Sequence, residues 1–301
     1  MRNIILILLA AVLIFGCVSG PKTGAPNISS VAVNIPGAPP EACTQSQTFS
    51  ALAPGILSET SELTATVSCA GGQSIEVDVD GNPATTNQVT TNDTQEVKLE
   101  IPATADGSHT LTVQMGGQNV LSESWNVTPL GVQKIEGLET DAVTYKQWIA
   151  EAVDVGNQIS LPRAEAYLST EQSKMQPNST VVMEIRRDDN GVPGDLVGSA
   201  SDPMSTVTQS DRWIAFDFAP ALTLAPGRYW MVVKTVQGTT PSLVTDILQL
   251  HYVTIDKTAA GNDYTRQMAL SVDENTGAAT VTQWQPLPYD KEYDMFLTTS
   301  K

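Results

Sequence analysis

The chain has 301 residues, 41% of them hydrophobic, which suffices for two ordinary domains with a core each and excludes a disordered protein. Its 33 acidic against 16 basic residues leave a net charge of −17. Arg186-Arg187 is followed at once by Asp188-Asp189 and no basic cluster compensates, so the field repels phosphate backbones and nucleic acid is excluded as a partner.

Residues 1–17, "MRNIILILLAAVLIFGC", begin with a positive n-region at Arg2, followed by an unbroken apolar run from Ile4 to Phe15 and a small residue, Gly16, before Cys17. Twelve helical residues reach about 18 Å, short of a hydrocarbon core of about 30 Å. The next stretch, 18–30, is rich in Gly, Pro and Ser without periodicity and reads as a flexible tether.

From about residue 31 the pattern is period two, with one dry and one wet face. Leu63, Ala65, Val67 and Cys69 alternate with Thr64, Thr66 and Ser68; Ile75, Val77 and Val79 alternate with Glu76, Asp78 and Asp80; Val97, Leu99 and Ile101 repeat the pattern. Asp80-Gly81 and Gly116-Gly117 are turn signals, and the strands around the second bring His109, Leu111, Val113, Met115, Trp125 and Val127 to one face. Residues 131–140 read as a linker. The remainder, 141–301, is strands again, with Ile214, Phe216 and Phe218 in one phase, Tyr229, Met231 and Val233 in another, and "EYDMFLTTS" as the closing strand. The expected fold class is all-β, two β-sandwiches in tandem.

Three resemblances sharpen this. "LIFGC" resembles the lipobox of exported bacterial and archaeal lipoproteins, with Ile14 and Gly16 fitting and Phe15 departing from the usual small residue. It implies lipidation of Cys17 and membrane attachment; the alternative is an uncleaved apolar anchor. Residues 31–130 resemble an Ig-like β-sandwich in strand spacing and turn residues. "EIRRDDNGVPGD", "WIAFDF", "LAPGRYWMVV" and "YDMFL" together resemble a choice-of-anchor-type, jelly-roll-like domain over 141–301, a family that implies cell-surface display and carries no catalytic residues to transfer. With Cys17 lipidated in an exported chain, Cys43 and Cys69 remain as an even pair, and their bridge would be worth about 3 to 4 kcal/mol.

No nucleophile elbow, HExxH, P-loop or GxGxxG occurs, and the two histidines, His109 and His251, both read as structural. Asp188, Asp189, Asn190 and Asp195 offer hard oxygens suited to Ca²⁺, but Asn190-Gly191 is also a strong hairpin signal, and the turn is the preferred reading. No other cofactor is expected. Seven aromatics of the second half, Trp213, Tyr229, Trp230, Tyr264, Trp284, Tyr289 and Tyr293, raise a sugar-stacking surface against ordinary packing. Among them Trp284, Tyr264 and Tyr289 are the candidate ligand contacts, because loop aromatics are freest to bind. Sequons stand at Asn27, Asn92, Asn126 and Asn178. The expected protein is non-enzymatic, membrane-attached at the cell surface, and partnered by a polysaccharide or surface protein. The alternatives are an accessory or degenerate hydrolytic module acting on extracellular polysaccharide, and a structural spacer.

Overall fold

The computed structural model describes residues 27–28, 46–52, 56–131, 139–170, 178–236, 247–254, 265–272, 279–281, 284–286 and 291–300. Cys17, Cys43, Tyr264 and Tyr289 lie outside them. The described chain is all-β apart from one 3-10 turn, Met204–Thr206.

The first eight strands are β1 (Asn27–Ile28), β2 (Ser46–Leu52), β3 (Ser61–Ser68), β4 (Ser74–Val79), β5 (Asn82–Gln88), β6 (Gln95–Ile101), β7 (Gly107–Met115) and β8 (Gln118–Val127). They form two four-stranded antiparallel sheets, β1-β2-β3-β6 and β5-β4-β7-β8. The alternating apolar residues decide which face is covered. Leu63, Ala65, Val67, Leu99 and Ile101 from one sheet and Ile75, Val77, Leu111 and Val113 from the other are almost fully buried in one shared core. Both expected turns close as two-residue loops with left-handed backbone: Asp80 and Gly81 at φ 54° and 76°, Gly116 and Gly117 at 57° and 81°.

β9 (Leu130–Gly131), β10 (Glu139–Val143), β11 (Gln147–Val155), β12 (Ile159–Ser169), β13 (Thr180–Asp188), β14 (Pro193–Pro203), β15 (Arg212–Leu224) and β16 (Gly227–Val236) follow. The series ends with β17 (Leu248–Thr254), β18 (Thr265–Val272), β19 (Ala279–Val281), β20 (Gln285–Pro286), β21 (Lys291–Tyr293) and β22 (Met295–Thr298). These strands make two larger antiparallel sheets. The β12 sheet runs β10-β17-β12-β22-β9, with β15 along the other edge of β12 and β21 on β17. The β16 sheet runs β14-β13-β16-β11-β18-β19, with β20 on β18. Ala164, Ala166, Leu168, Ile214 and Phe216 face Ile149, Met183, Ile185, Met231 and Val233 across the core. Facing antiparallel sheets with a buried inner side and polar outer side are the architecture of a β-sandwich.

The joint between the two sets departs from a plain linker. Leu130–Gly131 pairs with Phe296–Leu297 of β22, and Glu139 and Thr140 already lie in β10, so both ends of the 131–140 segment belong to sheets. Ser58 adds to the joint: its hydroxyl accepts from Gly156 N at 3.0 Å and its carbonyl from the Asn157 side chain at 2.8 Å. Cys69 stands one residue past β3, in left-handed backbone at φ 58°, not on the inner face where strand alternation puts it. It is disulfide-bonded; Cys43, its expected partner, lies outside the described residues.

Candidate functional site

The acidic segment 188–195 folds as a hairpin between β13 and β14. Asn190 and Gly191 take φ 55° and 83°, and Asp189 N donates to Val192 O at 2.8 Å, the geometry of a two-residue turn. Asp188 is committed to that fold: its Oδ2 accepts from Gly191 N at 3.1 Å and its Oδ1 from the Trp230 indole N–H at 2.7 Å. Asn190 Nδ2 donates to Asp189 Oδ1 at 2.9 Å, and Asp195 is exposed on β14. Among the described residues no group of three or more His, Cys, Asp or Glu stands close enough to hold a metal ion.

Trp284 rests on the outer face of the β16 sheet, where its ring centroid is 6.5 Å from that of Trp148. Both pack against a small second core of Ala150, Ala152, Trp230 and Val232. Trp230 is on the outer phase of its strand, as alternation requires, yet is fully buried. Lys234, ion-paired with Glu184, lies over the Trp148 ring at 4.1 Å. Trp284 therefore contributes to packing as a partly buried ring.

The outer face of the β12 sheet is different. Alternation along "RAEAYLS" turns Ala164, Ala166 and Leu168 inward and leaves Arg163, Glu165, Tyr167 and Ser169 outward. Trp213, paired with Tyr167 across β15, shares that face, as does Phe296, paired with Glu165 on the other side. The three rings interlock: Trp213 is 5.3 Å from Tyr167 and 4.9 Å from Phe296, tilted by 53° and 66°. Tyr167 and Trp213 are only half-buried while Phe296 beneath them is nearly covered. Half-buried aromatics on a wet sheet face can take one side of an apolar ring and still use a polar edge. Sequence reasoning missed Tyr167; the small-residue alternation of "RAEAYL" was the signal that placed it outward.

Polar groups frame the rings. Arg163 binds Asp217 bidentately at 2.8 and 3.2 Å, with Glu165 at 3.8 Å. Burial pushes the Glu165 carboxyl up, against the opposing pull of Arg163. At the other end His251 stacks edge-on to Tyr167 at 4.9 Å and its Nε2 meets Asp211 Oδ1 at 3.0 Å. A hydrogen bond from Ser169, and the His251 ring beside it, hold Asp211 below its usual range although burial opposes them. Ser169, His251 and Asp211 do not compose a relay. Ser169 and Asp211 both address Nε2, whereas a nucleophile and its orienting acid must use opposite nitrogens. His109 is equally structural: its Nδ1 meets Asp80 Oδ2 and its Nε2 meets Ala105 O, each at 2.7 Å, which braces the Asp80-Gly81 turn.

A further ionisable cluster gathers round the partly buried Asp141. Tyr293 OH and Lys291 Nζ both donate to Asp141 Oδ2, at 2.6 and 2.5 Å, and Lys291 lies 3.8 Å from the Tyr252 ring centre. Burial, with Asp141 beside it, pushes the Tyr293 hydroxyl far up. Glu151, 5% exposed, accepts from Tyr293 N at 2.6 Å, and Asp294 nearby is fully buried. Both carboxyls are buried among the core side chains.

No protein-family model matches this chain, and no curated protein does. What fold and face define together is a class: an all-β protein of antiparallel sheets carrying an aromatic, polar-rimmed outer face. Among the described residues no helix is long and apolar enough to cross a membrane.

Proposed function

We propose that this chain is an exported prokaryotic lipoprotein, held at the cell surface through lipid on Cys17, that binds carbohydrate without catalysing a reaction. In this reading residues 46–127 are an Ig-like sandwich acting as a stalk, and the strands from Glu139 onward a jelly-roll-like sandwich presenting the binding face. One observation carries it: Tyr167 and Trp213 stand half-buried on an outer sheet face beside Arg163, Glu165, Asp217 and Asp211. Rings offer stacking to a sugar's C–H side, and the flanking charged groups offer hydrogen bonds to its hydroxyls.

The test is retention of soluble residues 28–301 on cell-wall and neutral polysaccharides, with and without Ca²⁺, for the unaltered chain and Trp213→Ala. Saturable retention that falls with Trp213→Ala and ignores chelator supports the reading. Retention lost on chelation would transfer the site to the 188–195 hairpin. A structural spacer is the second reading. It is favoured by the bonds across the joint at Ser58 and by the pairing of Leu130–Gly131 with β22, and retention on no polymer would leave it standing.

A further inference from the structure

We infer that the outer face of the β12 sheet takes a single, soluble, uncharged polysaccharide chain, and discriminates against both anionic polymers and crystalline polymer surfaces. The inference rests on the carbohydrate-binding reading above and deepens it by naming the ligand class. Two independent observations lead there.

The first is ring geometry. A crystalline polymer surface is a plane of sugar rings and needs a coplanar row of aromatics to lie on. Tyr167, Trp213 and Phe296 are inclined to one another by 53° and 66°, a herringbone, and Phe296 is too buried to be touched. Such a cluster presents ring faces in different directions, one sugar unit at each. A free chain can bend its linkages to follow them; a crystal facet cannot.

The second is charge. The cation beside the rings, Arg163, is forked onto Asp217. Asp217 and Asp211 keep about half their side-chain surface in solvent, 51% and 48%. They are acceptors for donated hydroxyls and repel carboxylates or sulfates, in a molecule whose net charge is already −17. Asp217 is held by Arg163 and Asp211 is bonded to His251, so these two acids do not form a bare carboxylate pair that would require a cationic sugar. An uncharged chain satisfies all of these groups.

The experiment is calorimetric titration of residues 28–301 with soluble neutral glucans, mannans and galactans, with a sulfated and a uronate polymer at the same low ionic strength, alongside depletion by crystalline cellulose particles. The expected result is saturable binding to at least one neutral chain, binding of the anionic polymers weaker by tenfold or more, and no depletion by crystals. Trp213→Ala should weaken the neutral chain roughly three- to tenfold, the range of a lost aromatic contact, and Trp213→Phe should recover part of it, which a folding defect would not. Anionic polymers binding as well as neutral ones, or depletion by crystals, overturns the inference while leaving carbohydrate binding intact. Undiminished binding by folded Trp213→Ala moves the site off this face. No binding to any polymer by protein of unchanged melting temperature overturns the carbohydrate reading itself.

Discussion

Asp106 and Thr299 are 193 residues apart and share three hydrogen bonds. Asp106 Oδ1 accepts from Thr299 N at 2.6 Å and from Thr299 Oγ1 at 2.5 Å, and Asp106 N donates back to that hydroxyl oxygen at 3.1 Å. The second carboxylate oxygen accepts from Thr298 Oγ1 at 2.7 Å. A single acid in the loop before β7 thus holds the residues that close the last strand. Burial pushes this carboxyl up, but the hydroxyl and amide donors outweigh it and leave it below its usual range. A depressed folded value means stability that is present above the unfolded carboxylate's value near 4 and is lost as pH falls through the lower, folded one. Asp106→Ala should cost about 1 to 2 kcal/mol, partial solvent access trimming the figure for charged hydrogen bonds. Urea unfolding at pH 7 and near pH 3 checks it: the gap between the unaltered chain and the variant should narrow in acid.

Glu151 predicts the opposite slope. Burial raises its carboxyl well above the usual range, the Tyr293 N–H opposing and Glu292 and Asp294 reinforcing. A raised folded value favours the protonated form, so its contribution is complete below the unfolded value and is lost as pH rises towards the folded one. Glu151→Gln keeps an acceptor for Tyr293 N without the charge. Denaturation from pH 5 to pH 8 should show the unaltered chain losing stability relative to this variant, and parallel curves would remove Glu151 as the cause.

Asp188 separates the hairpin from the calcium reading. Replacing it with Ala takes away the acceptor of the Trp230 indole and of Gly191 N, a cost of about 1 to 2 kcal/mol in a partly buried setting. Asp188→Asn keeps an oxygen for one of them and should cost less. Thermal melts with calcium and with chelator should show the same loss for Asp188→Ala. A loss confined to the calcium sample would establish a metal role.

If Cys69 is bridged to Cys43, as the sequence leads one to expect, a non-reducing digest should yield a single disulfide-linked peptide pair with Cys17 absent from it. Breaking it by Cys69→Ser should lower stability by about 3 to 4 kcal/mol, the loop-closure estimate. A Cys17–Cys69 peptide would overturn both the pairing and the lipid on Cys17.

Much of the fold was legible because a half-buried strand writes its orientation in alternate letters. Ile214, Phe216 and Phe218, and Tyr229, Met231 and Val233, are buried in the phases that alternation assigns. The Asn190-Gly191 turn was readable from two residues that tolerate positive φ. Trp230 shows where local reading stops. Its phase marks it as outward, but a distant segment bearing Trp284 covers it, and no local pattern announces a second layer on a sheet. Tyr167 and Trp213 were separated by the same limitation: they meet only through the β12–β15 pairing, so the face they form was invisible while loop aromatics looked the better candidates. Asp106 and Thr299 likewise have nothing in their neighbouring residues to connect them.

Gly131 bears on how load would travel through the molecule. At φ 105° it lies so close to β22 that a side chain's first carbon would stand 2.4 Å from Met295 O and 2.9 Å from Phe296 Cα. The joint can therefore neither swell nor slide to accommodate another residue. Under the proposed lipid attachment at Cys17, tension from flow or a bound neighbour would enter the β12 sheet at this spot. There it meets the β9–β22 pairing together with the Asp106 and Ser58 contacts. Contacts loaded side by side share the force and must break together, whereas a hinge would have let the two sets swing apart. The aromatic face would ride on a stiff arm, aimed by the anchor rather than trailing from it.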